Sequence, residues 1–123
     1  MSSGLERSVE VVATAERASL LWRRAVLGQR EAAPDHGEFY ALAGELVNTL
    51  RALEALTAVL ARQVAGYGRG RVLRDDEGLA PGARLADAVV LLGCVRKSLG
   101  EADAAANSFW SAIGHVAVED GAP

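Results

Sequence analysis

Residues 85 to 116 carry the pattern that most constrains this chain. Leu85, Ala88, Leu92, Val95, Leu99, Ala102, Ala106, Phe109, Ile113 and Val116 step 3-4-3-4-3-4-3-4-3 without a skip. That spacing places one apolar stripe along a helix and suits no strand. The phase runs straight through Gly100, so one helix over 82–118 is expected. The competing reading splits it at Gly100, where Ser98 and Glu101 could cap a further helix.

An equally regular seam precedes it. Phe39, Ala43, Leu46, Leu50, Leu53, Thr57, Leu60 and Val64 step 4-3-4-3-4-3-4, over more than three heptads. Leu42, Val47, Leu56 and Val59 widen the apolar arc, which suits a bundle better than a two-stranded coil. Asp35 and Glu38 have capping-box spacing directly after Pro34, so this helix is expected over 36–66. Gly66 is the expected left-handed residue at its C-terminal end. The first helix, over 3–31, opens on a second capping box, Ser3 with Glu6. Leu5, Val9, Val12, Leu20, Val26 and Leu27 recur along it, and the pattern fades before Pro34. The fold class is therefore all-α. The expected architecture is an antiparallel up-down-up bundle of three long helices in a single domain, 1–123, with the third helix overhanging its partners by about two turns.

Composition agrees. Half of the 123 residues are hydrophobic and only 5% are aromatic, a balance that favours helix over sheet. A net charge of −3 is mildly wrong for a nucleic-acid binder. The lone Cys94 cannot form an internal disulfide and is expected to be an inert buried thiol in a reducing compartment. No apolar stretch has signal-peptide or membrane-span length, so a cytoplasmic protein without membrane contact is expected.

Three stretches are candidates for function. "GYGRGRVLRDDEG", residues 66–78, could grip phosphates through Arg69, Arg71 and Arg74, with Arg62 one turn below. Its "RGR" matches the core of an AT-hook, but Asp75, Asp76 and Glu77 follow at once and can neutralise the arginines within the loop. The second candidate is a row on the last helix, Ala86, Gly93, Gly100, Asn107 and Gly114, spaced by seven. Glycine costs a helix about 1 kcal/mol relative to alanine, which close approach of another helix can offset. The third is "ANSFWSAIGH", residues 106–115, where an overhang would expose Trp110 and Ile113 to a partner. Gly93, Gly100, Asn107, Trp110, Ile113 and Gly114 together form the expected partner-binding surface, and a homodimer is the expected assembly.

Catalytic chemistry finds little support. His36 and His115 lack metal-ligand spacing, no phosphate-binding glycine loop occurs, and no catalytic residue, metal or cofactor is expected. "REAAPDH" has the arginine-to-histidine spacing of the RNase motif in HEPN domains, but Pro34 interrupts it. The Trp-x-Gly turn of WXG hairpins is absent, since the loop reads "AAPDHG". "LAGELVNTLRALEALTAVLARQVAGY" and "AANSFWSAIGHVAVE" resemble uncharacterised actinobacterial helical proteins of mobile-element and conjugation neighbourhoods. The resemblance covers residues 37–118 and implies an accessory role in DNA transfer, with no site residues to carry over. The leading expectation is a non-enzymatic helical protein–protein interaction module, a self-associating accessory protein with an unidentified protein partner besides its own copy. The alternative is a nucleic-acid-binding accessory protein that uses the arginine loop.

Overall fold

A computed structural model describes residues 3–119. They form three helices, α1 (Gly4–Glu31), α2 (His36–Ala65) and α3 (Pro81–Gly114), with no strand among the described residues. The all-α class is as expected, and α3 runs unbroken through Gly100. The chain divides into two compact units, residues 1–35 and 36–123, with the division beside Pro34.

In the first unit, α1 begins as its sequence dictates. Ser3 Oγ accepts the Glu6 amide at 3.1 Å and Glu6 Oε2 accepts the Ser3 amide at 3.1 Å, which completes the capping box. The helix ends where Ala32 turns to extended backbone, two residues before Pro34. None of its residues is fully buried.

In the second unit, α2 and α3 pack along their length as an antiparallel pair. Tyr40 meets Gly114, Gly44 meets Trp110, Arg51 pairs with Asp103 at 3.3 Å, and Glu54 lies beside Gly100. As α2 rises from 40 to 54, α3 falls from 114 to 100. Gly114 is thus level with the start of α2, and the expected two-turn overhang of α3 does not occur. Trp110 and Ile113 are half-buried for the same reason.

The buried residues of α2 are Ala43, Gly44, Val47 and Thr57. They select the pairing face: Ala43, Val47, Leu50, Glu54, Thr57, Ala61 and Val64, again stepping 4-3-4-3-4-3. The seam read from sequence straddles this face. Leu46, Leu53 and Leu60 were expected to pack, yet Leu53 is 43% and Leu60 36% exposed. The apolar arc of α2 is wider than one partner helix can cover, and the small residues Ala43, Gly44, Ala58 and Ala61 decide which part of it α3 approaches.

The connection, residues 66–80, holds a second difference. Gly66 is not left-handed. Its amide bonds Arg62 at 3.2 Å, and the chain continues through tight turns, Arg69 to Gly66 and Arg71 to Gly68, each at 3.2 Å. The left-handed residues among those described are Gly70 (φ 70°) and Gly78 (φ 80°), where only glycine avoids a steric cost. Pro81 then occupies the first turn of α3, where its missing amide hydrogen costs nothing.

Candidate functional site: an open apolar face on the hairpin

The arginine loop is ordered by Asp75. Its Oδ2 accepts the amides of Glu77 and Leu79 at 3.0 Å each, and its Oδ1 takes Arg84 Nε at 2.7 Å. Arg84 also reaches Glu77 at 3.2 Å. The Leu79 amide, then Arg84, hold the Asp75 carboxyl below the usual carboxylate range. Asp75 and Glu77 therefore pair with an arginine of α3 rather than with those of the loop. Arg62, Arg69, Arg71 and Arg74 all remain exposed. Arg71 folds back over the Tyr67 ring, 4.3 Å from its centre, and donates to the Tyr67 carbonyl at 2.9 Å.

The glycine row does not act as one surface. Gly93 faces open space, Gly100 lies beside the Glu54 carboxylate, and a Cβ at Gly114 would stand 3.0 Å from the Tyr40 ring. Asn107 donates to the Asp103 carbonyl at 2.9 Å. The lower half of the row thus accommodates α2 of the same hairpin. Trp110 is part of that contact. Its ring lies over Gly44, where a Cβ would come within 3.2 Å, and stacks at a tilt of 49° against Tyr40, with centres 5.7 Å apart. Its indole nitrogen is buried without a hydrogen-bond partner. Tyr40, Trp110, Ile113, His36 and His115 line an open cleft of about 610 Å³ at this end. Among the described residues, no three histidine, cysteine or carboxylate side chains cluster as a metal would require. Cys94 is exposed rather than buried, because it sits on the side of α3 opposite the pairing face.

The feature that the sequence did not single out is the side of the hairpin that α2 and α3 do not cover for each other. On α2, Leu42, Leu46, Thr49, Leu53, Leu56 and Leu60 form a heptad stripe of their own, and each immediately precedes a pairing residue. On α3, Leu91, Val95, Ala102 and Phe109 likewise precede Leu92, Arg96, Asp103 and Trp110. One residue back is a rotation of ~100° in the same helical sense. In an antiparallel pair, equal rotations of that kind bring both stripes to one side. Leu46, Leu53, Leu56, Leu60, Leu91, Val95 and Phe109 are between 36% and 64% exposed. Together they leave roughly 600 Å² of surface open, at the upper end of the ~300–600 Å² of an ordinary monomer's largest patch. No charge falls along its centre. Arg51, Glu54, Arg96 and Asp103 lie on the pairing side, Lys97 and Glu101 on the far side, and Glu45 at the rim. The signal was present in the sequence as the excess width of the α2 apolar arc.

No family model matches the chain, and no match was found among curated proteins or solved structures. Among the described residues, no helix is long and apolar enough to cross a membrane.

Proposed function

We propose that this protein is a non-enzymatic helical interaction module whose working surface is the leucine face of the α2–α3 hairpin. The observation that carries this reading is the size and apolar centre of that face, since a monomer in water has every reason to cover such a patch. It replaces the glycine row as the seat of the interaction. Trp110 and Ile113 retain a supporting part, because they anchor the end of α3 against α2. The accessory role in DNA transfer rests on the sequence resemblance and is part of the same proposal. Its test is affinity capture from the native host with wild-type protein and Leu53→Glu. The expected result is a specific protein recovered with wild type and lost with the variant, at equal helical content. Equal recovery by both would exclude the leucine face.

A second reading is nucleic-acid binding through Arg62, Arg69, Arg71 and Arg74. It is favoured by the pairing of Asp75 and Glu77 with Arg84, which leaves the loop arginines exposed. Binding to duplex DNA at ~50 mM salt that weakens steeply at ~200 mM, and that the double variant Arg69→Ala/Arg74→Ala abolishes, is the outcome this reading requires.

A further inference from the structure

The interaction module has a definite partner in view. We infer that the leucine face binds a second copy of this chain, so that two α2–α3 hairpins close into a symmetric four-helix dimer. The inference rests on the interaction-module reading and adds the identity of the partner.

Area is the first argument. Each hairpin offers roughly 600 Å² of open surface on this face, the lower end of the ~600–1,000 Å² that each partner contributes to a standard interface. A two-fold pairing consumes the same patch on both copies and leaves none exposed.

Charge selects the occupant. Along Leu42–Leu60 and Leu91–Phe109 the centre of the face is apolar, and Glu45 is the ionisable side chain at its edge. A partner that matches it must also be apolar along its centre over some four turns, or it buries ions without counter-ions. A second hairpin meets that condition by construction. The other long helix of the chain does not. By helical phase, Glu16, Arg23 and Arg30 fall on the same side of α1 as Leu5, Val9, Val12, Leu20 and Leu27.

Geometry supplies the third argument. The α2 stripe is centred near Leu53 and the α3 stripe near Ala102, and these two positions are level with each other in the hairpin. A two-fold axis through the middle of the face then brings leucines of α2 together around the small side chain of Ala102, which gives the helices room to approach. The ends of the face, Leu60 with Leu91 and Leu46 with Phe109, pack in equivalent layers.

Light scattering on purified full-length protein at ~100 μM tests this directly. The expected mass is twice the 12.9 kDa of one chain. Leu53→Glu is expected to weaken the dimer about a hundredfold or more, with unchanged circular dichroism. A second measurement does not depend on the charged variant folding. In a Cys94→Ser background, Leu53→Cys is expected to give dimers with a short bis-maleimide, whereas Ala55→Cys, on the far side of α2, is not. A monomeric wild type overturns the proposal. So does a dimer that links through Ala55→Cys as readily as through Leu53→Cys. A monomer that still captures a host protein through the leucine face separates failure of this inference from failure of the interaction-module reading.

Discussion

Gly44 decides how closely the two helices of the hairpin approach. Its missing side chain lets the Trp110 ring come close to α2, since a Cβ there would stand 3.2 Å from Cζ2 and the ring would have to give. Tyr40, one turn before Gly44 on α2, meets the same ring at a tilt of 49°. Gly44→Leu should therefore destabilise the fold by about 1–3 kcal/mol through overpacking. Gly93 shows the opposite case. It is a helix-interior glycine with open space around its Cα. Gly93→Ala should stabilise by about 0.5–1 kcal/mol, because alanine loses less backbone entropy in a helix. Chemical denaturation of the two variants checks both signs at once. The two glycines sit in different environments, one under a ring and one in open space, and the two signs should differ accordingly.

At the scale of elements, the same residues show why helix positions were legible and the helix partner was not. The 3-4 spacing of α3 is a local property, and it carried through Gly100 because nothing within one helix interrupts it. The two capping residues of α1, Ser3 and Glu6, are three positions apart and need no distant neighbour. Pairing is different. Leu46 and Val47 both belong to the apolar arc of α2, and which of them faces α3 depends on Gly44, Trp110 and Tyr40, residues some seventy positions apart in part. Periodicity located the arc, and only packing divides it into a covered half and an open half. The loop illustrates a second limit. Its acids looked able to neutralise Arg69, Arg71 and Arg74, but Asp75 turns to Arg84, nine residues on, because the Asx-type turn to Glu77 and Leu79 points the carboxylate toward α3. This pair gives a pH prediction. The Asp75 carboxyl is held lower in the folded chain than in the unfolded one, chiefly by the Leu79 amide and then by Arg84. Its contribution is complete above the unfolded value of about 3.9 and is lost as the pH falls through the folded value. The carboxyl carbon shift of Asp75 should titrate with a midpoint below 3.9. In Asp75→Asn at neutral pH, amide exchange at Glu77 and Leu79 should rise several-fold. A midpoint at or above 3.9 would contradict the capping role of this carboxylate.

For the whole molecule, the open leucine face changes what stability means. A hairpin with four buried residues in α2 and none in α3 has little core of its own. Three or more packed elements are the usual way to enclose a core of this length, and two hairpins supply four. If the second pair of helices comes from a second copy, folding and association are linked, and the unfolding midpoint must depend on protein concentration. The size of the effect follows from the chain length. A tenfold rise in concentration adds about 1.4 kcal/mol to a dimer at 25 °C. Two chains of 123 residues, at about 2.1 cal/mol/K per residue, turn that into a rise of roughly 2–3 °C per decade. Differential scanning calorimetry between ~10 and ~1,000 μM should therefore show an upward shift of roughly 4–6 °C for the wild type. Leu53→Glu should melt lower and at one temperature throughout, because its stability no longer contains an intermolecular term. Gly44→Leu, which acts inside the hairpin, should melt lower and keep the concentration dependence. A wild-type midpoint that stays constant across the two decades would show that the leucine face is not covered by a second chain.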